Sequence, residues 1–254
     1  KHAFDAPVTG GPQGAAAGTL TIFCGTDAET LAGVRDVLAC MGSKIVCFGA
    51  AGKGQLAKLA NQTALAGAMV GFAEGLAFAK QAGLDLAQTL DALAGGMADS
   101  KALATFGPKV LAGDYAPGFT VDHYVKDIDL IEQAAESMEL TLPGVDTARD
   151  LYGVLSAIGA GKLGTQAVAL MYEDEQTCAS HGLDWSALGT SDFDEDEEHG
   201  HTGGDTCGCG HDHDHGDVSD HDHDADDDDE DFEDFDFAQA YGLESFYDPS
   251  GSRE

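Results

Sequence analysis

The stretch from Gly54 to Ala82 limits the possible folds more than any other part of the chain. It is rich in alanine, contains no proline and stops at Gly83. It therefore reads as one long helix, which needs other helices against it. Gly67, Gly71 and Gly75 recur every four residues along this run. They form a smooth stripe where a second helix can come close. In a bilayer that spacing is a dimerisation motif. Here it reads as tight packing in a soluble bundle. The most apolar run, Thr63 to Ala73, is too short to span a membrane, and Lys58, Glu74 and Lys80 flank it.

Residues 1–53 read differently. HAFDAPV is a short strand ending in the turn-rich TGGPQG, and GTLTIFCG is a second strand with β-branched alternation. Thr26-Asp27 is an N-cap signal for a helix over AETLAGVRDVLACMG, and KIVCFG is a third strand. This is the tail end of an α/β sheet domain, with too few elements to close one by itself. After the long helix come DLAQTLDALAGGM, SKALATFGPKVLAG (interrupted at Pro108), VDHYVKDIDLIEQAAESMEL, VDTARDLYGVLSAIG and TQAVALMYEDEQTCASHG. The long helix and these five make an all-α domain over 54–189. Residues 190–254 have a different composition and are predicted to be a disordered acidic tail.

The charge follows the same division. Of 46 acidic residues, 25 lie in 191–254 against one basic residue, Arg253. The resulting net charge of −34 argues against nucleic acid and anionic membranes as partners. Three of the six cysteines sit in apolar stretches of the body and read as small buried hydrophobes. No cysteine spacing suggests a disulfide framework, which points to an intracellular, reducing compartment, cytoplasmic or mitochondrial. The chain opens on Lys1 with Ala3-Phe4 already apolar, so a true start upstream is expected. In the tail, Cys207, Cys209, His211, His213, His215, His221 and His223 crowd together. They could take up divalent metal weakly, but their spacing is not that of a folded zinc site. No structural or catalytic metal site is expected. The aromatic run around Phe232, Phe235 and Phe237 reads as an unstructured sticky end or a short docking segment.

Three places could carry chemistry. Gln55, Lys58, Asn61 and Gln62 form one polar seam on a helix otherwise made of Ala and Leu. A lysine with few charges around it, facing a cleft, can have a lowered pKa and exchange protons. Taken alone, the seam is equally an ordinary solvent-facing stripe. Thr9, Gly10 and Gly11 end a strand in a turn whose backbone N–H groups and Thr9 hydroxyl could hold a carboxylate. A plain glycine-rich turn explains the same residues. Lys126-Asp127, in YVKDIDL, reads on charge alone as a solvated helix face.

Taken in order, DAPVTGG, GTLTIFCG, GKGQLAKLANQ and KDIDL, with these gaps between them, resemble the β-hydroxyacid dehydrogenase family over roughly residues 3–175. That family includes 3-hydroxyisobutyrate dehydrogenase and 2-hydroxy-3-oxopropionate reductase. The resemblance implies a remnant of a Rossmann-type NAD(P)-binding domain over 1–53. A helical 6-phosphogluconate dehydrogenase-like domain for substrate and dimerisation would follow over 54–189. It places the family's catalytic lysine on Lys58 and its substrate-holding amide on Asn61, beside Gln62. The substrate-carboxylate turn falls on Thr9, Gly10 and Gly11, where Thr replaces the commoner Ser. The cofactor-contacting lysine falls on Lys126.

The implied reaction is hydride transfer between NAD or NADP and a short 3-hydroxy acid or its semialdehyde, with Lys58 as general acid and base. A homodimer or tetramer is implied as well. The family opens with a strand, a GxGxxG turn and a helix, and this sequence has none. GGPQGAAAG is no substitute, because a strand is expected after it. As it stands, the chain should bind the cofactor poorly. Two other readings are a non-catalytic interaction module derived from the family, and a metal-binding protein acting through its tail.

Overall fold

The computed structural model describes residues 3–189. The acidic tail lies outside the described residues, as do its Cys and His cluster and its aromatic run. The described part is mostly helical, with one small sheet.

The sheet has three strands, β1 (Val8–Thr9), β2 (Leu20–Cys24) and β3 (Gly42–Cys47), side by side in that order. β2 and β3 run parallel, with Ile22 opposite Ile45 and Cys24 opposite Cys47. They are joined by helix α2 (Ala28–Ala39), whose start is capped by the Asp27 carboxylate accepting from Thr30 N at 2.7 Å. β1 pairs antiparallel to β2, with Val8 opposite Ile22 and Thr9 opposite Thr21. Leu20, Ile22, Cys24 and Leu31 are the buried centre of this part.

Several local expectations are corrected. The strand expected over HAFDAPV shrinks to Val8–Thr9 and one isolated bridge, Asp5 to Gly25. The expected turn after it becomes a seven-residue helix, α1 (Gly11–Ala17), begun by Pro12 and ended by Gly18 in the left-handed region. Three glycines and a proline look like pure punctuation in sequence. Yet proline in the first turn and glycine past the end also suit a short helix.

Helix α3 (Lys53–Gln81) is 29 residues long, which at 1.5 Å per residue is about 44 Å. Its face carrying Ala66, Met69, Phe72, Ala73 and Leu76 is buried in the main core. Around it lie α4 (Leu86–Ala94), α5 (Lys101–Leu111), α6 (Val121–Ser137) and α7 (Pro143–Ala157). Asp85, Ser100 and Thr120 cap α4, α5 and α6 through their side chains. Tyr124 on α6 and Tyr152 on α7 meet edge to face at 4.8 Å in the centre.

Contrary to expectation, α5 runs through Pro108 without a break. Gly107 lets it lie so close to Leu90 of α4 that a Cβ would overlap the leucine side chain. Packing there offsets the one backbone hydrogen bond that proline forfeits. The last predicted helix divides into a 3₁₀ stretch, Thr165–Tyr172, and a short helix, α8 (Glu175–Ser180). Thr165 to Leu170 are buried on every side, so they carry no amphipathic period to read. Cys24 and Cys178 are buried as expected of small hydrophobes, whereas Cys40 and Cys47 are exposed. The Gly67, Gly71 and Gly75 stripe is not a packing seam inside the described residues: a Cβ at any of the three would meet nothing within 4 Å. No described helix is long and apolar enough to cross a membrane, and no described His, Cys, Asp and Glu group could hold a metal ion.

Candidate active site

The first three turns of α3 carry the polar seam. Lys58 Nζ donates to Gln62 Oε1 at 3.1 Å, one helical turn ahead. Asn61 Nδ2 donates to the same oxygen at 2.9 Å. Gln62 Nε2 donates across to Asp127 Oδ2 on α6 at 2.8 Å. Gln62 is 2% exposed, so its side chain has no recourse to water. Its amide orientation follows from its neighbours. Reversed, it would set its NH₂ against the lysine ammonium and its oxygen against a carboxylate. Tyr124, buried on α6, donates its hydroxyl to the Gln62 carbonyl at 3.3 Å and ties the same turn of α3 to the core.

Lys58 is half-buried, and burial holds its pKa below the ordinary lysine value. The Asp127 carboxylate acts in the opposite direction and has the smaller effect. The lysine's direct partner is therefore a neutral amide, with the carboxylate one residue further off. That arrangement leaves the ammonium readier to give up its proton than a solvated lysine's.

Lys126 stands at the rim of this cluster. Its side chain is 65% exposed, and its Nζ lies 3.6 Å from Asp127 Oδ1. An exposed ammonium held loosely by one carboxylate suits contact with an oxygen-rich group such as a cofactor's.

Thr9, Gly10 and Gly11 lie where β1 passes into α1. Gly10 and Gly11 have φ of 132° and 65°, conformations glycine adopts without strain. Side chains other than glycine at position 10 would also press on Leu20. No side chain caps α1, and Pro12 has no N–H, so the Gly11 and Gln13 amides are the open donors of its first turn. Among the described residues no hydrogen bond joins Thr9, Gly10 or Gly11 directly to the Lys58 cluster. The link runs through Asp5. Its carboxylate accepts from Gly52 N at 2.7 Å and Gln55 N at 2.8 Å, at the start of α3.

Of the sequence-derived candidates, Lys58, Asn61 and Lys126 therefore share one cluster, and the turn forms a second group on the adjoining strand. Gln55 contributes its backbone rather than its side chain. Asp127 and Asp5 were both visible within motifs but had no assigned part. Asp127 was half of a charged pair on an amphipathic helix. Asp5 had no local cue, because its partners lie 47 and 50 residues away.

Comparisons with known proteins bear on the chain as a whole. A family model described as the NAD-binding domain of NADP-dependent 3-hydroxyisobutyrate dehydrogenase matches residues 52–172. Another, the NAD-binding domain of 6-phosphogluconate dehydrogenase, matches residues 1–49. A probable mitochondrial 3-hydroxyisobutyrate dehydrogenase-like protein of Arabidopsis thaliana is 45% identical over 169 residues, covering 66% of this chain and 50% of its own. The 2-hydroxy-3-oxopropionate reductase of Escherichia coli is 35% identical over 169 residues, covering 66% and 58%. A solved structure of 3-hydroxyisobutyrate dehydrogenase from Mycobacterium tuberculosis, with L-serine, superposes with a TM-score of 0.62 at 34% identity, covering 67% and 60%. The chain spans between half and three-fifths of the length of these relatives.

Proposed function

Because this chain belongs to the β-hydroxyacid dehydrogenase family, we propose that it forms the substrate-side, catalytic part of an NAD(P)-dependent 3-hydroxyacid dehydrogenase or reductase. The observation that carries this reading is Lys58. It is half-buried, bonded to a neutral amide, and its pKa is lowered by desolvation. As an amine it accepts the hydroxyl proton of a short 3-hydroxy acid during oxidation. As an ammonium it returns a proton to the carbonyl oxygen of the semialdehyde during reduction.

Asn61 stands beside Lys58, and its Oδ1 is left over from the bond to Gln62. It orients the substrate hydroxyl. The Thr9, Gly10 and Gly11 turn receives the substrate carboxylate through backbone N–H groups and the Thr9 hydroxyl. A bound nicotinamide, of NAD or NADP, supplies the hydride chemistry. Toward that group this chain offers Lys126 at the rim of the cluster.

The relatives' names support a short substrate of this class: tartronate semialdehyde, 3-hydroxyisobutyrate or a similar acid such as L-serine. Self-association belongs to the same reading. Among the described residues nothing stands within 4 Å of a Cβ at Gly67, Gly71 or Gly75 of α3, and Phe78, 76% exposed, continues that face.

The test is NAD(P)H-dependent reduction of tartronate semialdehyde, and oxidation of 3-hydroxyisobutyrate and L-serine, by the full-length protein and its Lys58→Met variant. Turnover that Lys58→Met abolishes, with cofactor binding retained, is the expected result. Turnover that survives the substitution would remove Lys58 from the chemistry and this reading with it.

A further inference from the structure

We propose that Asp5 is a positioning residue, which fixes the helix carrying Lys58 against the strand that leads to the Thr9, Gly10 and Gly11 turn. The proposal rests on the reading of Lys58 as the acid and base.

Helix α3 begins badly by its own means. Its N-cap is Gly52, at φ 84°, with no side chain to accept a hydrogen bond. The first N–H groups of any helix lack internal partners. In a capping box two residues of the helix itself satisfy them. One side chain takes the N–H of the third helical residue, and the other takes that of the N-cap. Here one carboxylate performs both parts from outside the helix. Asp5 Oδ1 takes the Gly52 N–H and Oδ2 takes the Gln55 N–H.

The joint works only because two other residues have no side chain. A Cβ at Gly25 would overlap the Asp5 carboxylate. A Cβ at Gly54 would overlap the Phe23 carbonyl, and would lie 2.6 Å from Asp5 Oδ2 and 2.8 Å from Gly25 N. The end of β2, the Asp5 side chain and the first turn of α3 are thus in direct contact.

From Asp5 the connection continues to the turn without slack. Gly25 N donates to the Asp5 carbonyl at 2.8 Å, and Phe23 N donates to the Pro7 carbonyl at 2.9 Å. Val8 and Thr9 then pair with Ile22 and Thr21. In the other direction, Lys58 follows Gln55 by three residues, about 4.5 Å of helix rise. Asp5 therefore sits midway along one hydrogen-bonded path from Thr9 to Lys58. Asp5 bonds the backbone of α3 and not the Lys58 side chain, so its part is to hold position.

The experiment compares Asp5→Asn, Asp127→Asn and Lys58→Met in the full-length protein, using tartronate semialdehyde and NAD(P)H. Asparagine keeps the shape of Asp5 but turns an NH₂ toward one of the two backbone donors. A misplacement on the ångström scale costs up to about 100-fold in rate. Asp5→Asn should accordingly lower kcat/KM for the semialdehyde by about 10- to 100-fold. The KM for cofactor should stay within about twofold and the pH profile should keep its midpoints. Asp127→Asn should move those midpoints.

Amide hydrogen exchange over residues 50–58 of this chain supplies a readout independent of turnover. Protection at Gly52 and Gln55 should be lost in Asp5→Asn while α6 and α7 keep theirs. If Asp5→Asn does not fold, Asp5→Glu keeps the charge, overreaches by one methylene, and should show the same loss of kcat/KM in milder form.

An enzyme that Lys58→Met silences but Asp5→Asn leaves at full rate overturns the role of Asp5 alone. So does a pH profile that Asp5→Asn shifts as Asp127→Asn does. A wild-type protein without turnover overturns the reading of Lys58, and the role of Asp5 falls with it.

Discussion

Replacing Gln62 by methionine is the sharpest single perturbation of the cluster. Methionine has nearly the same length and volume, so the substitution removes three hydrogen bonds with little change in packing. Those bonds are to Lys58 at 3.1 Å, Asn61 at 2.9 Å and Asp127 at 2.8 Å. A neutral bond contributes about 1 kcal/mol net, and one to a charged group about 1.5–3 kcal/mol. Lys58 and Asn61 are half-exposed and can turn to water. Asp127, 17% exposed, is less able to. A buried methionine also recovers some transfer free energy that glutamine forgoes. The net loss is therefore about 1–2 kcal/mol, which for a domain of this size lowers Tm by about 2–8 °C.

The same substitution acts on Lys58. It removes the acceptor of the ammonium and puts apolar atoms in its place. Both changes disfavour the charged form, so the lysine pKa falls further. The limb of the oxidation rate against pH that reports Lys58 should move to lower pH. Circular dichroism melting gives the first quantity and the pH dependence of kcat/KM the second. A double-mutant cycle with Asp127→Asn should show coupling of about 1–2 kcal/mol, because the two side chains share a bond. A Gln62→Met protein that melts with the wild type and keeps its pH profile would refute the argument that this amide holds the site together.

Lys58→Met should change stability in a pH-dependent way. The folded pKa lies below the ordinary 10.5, so between the two values the folded chain binds fewer protons than the unfolded one, and wild-type stability rises with pH there. The variant has no charge to desolvate. It should melt above wild type at pH 7, with the gap closing toward pH 10; a constant gap would contradict the desolvation argument. Tyr152, fully buried, donates its hydroxyl to the Thr165 carbonyl at 2.8 Å. Tyr152→Phe removes that bond and should cost about 0.5–1.5 kcal/mol in urea unfolding; an unchanged midpoint would mean the bond contributes nothing net. Gly71→Arg should leave the fold intact, since none of the described residues stands within 4 Å of a Cβ there, yet reduce the mass seen in analytical ultracentrifugation. An unchanged oligomer would clear this face of any part in self-association.

What could be read from the sequence, and what could not, follows from the range over which each feature acts. The long helix, its neighbours and their caps are local patterns. Thr26-Asp27 announced α2 because the cap's acceptor and donor are three residues apart. The seam of Lys58, Asn61 and Gln62 was visible for the same reason, since one turn of helix fixes which side chains meet. The closures of the site were not visible. Gln62 reaches Asp127 across 65 positions, and Asp5 reaches α3 across 47 and 50.

Nothing in the neighbourhood of either aspartate distinguishes it from a solvated carboxylate. Glycines carried the missing information in negative form. Gly25 and Gly54 lie in ordinary local contexts, and only the approach of Asp5 and the Phe23 carbonyl explains why neither can carry a side chain. Gly67, Gly71 and Gly75 give the opposite lesson, because their spacing suggests close packing and none of the described residues comes near them. A glycine in a helix sacrifices about 1 kcal/mol relative to alanine. Three such losses on one exposed face, with no contact among the described residues to offset them, fit a surface shaped for a second helix.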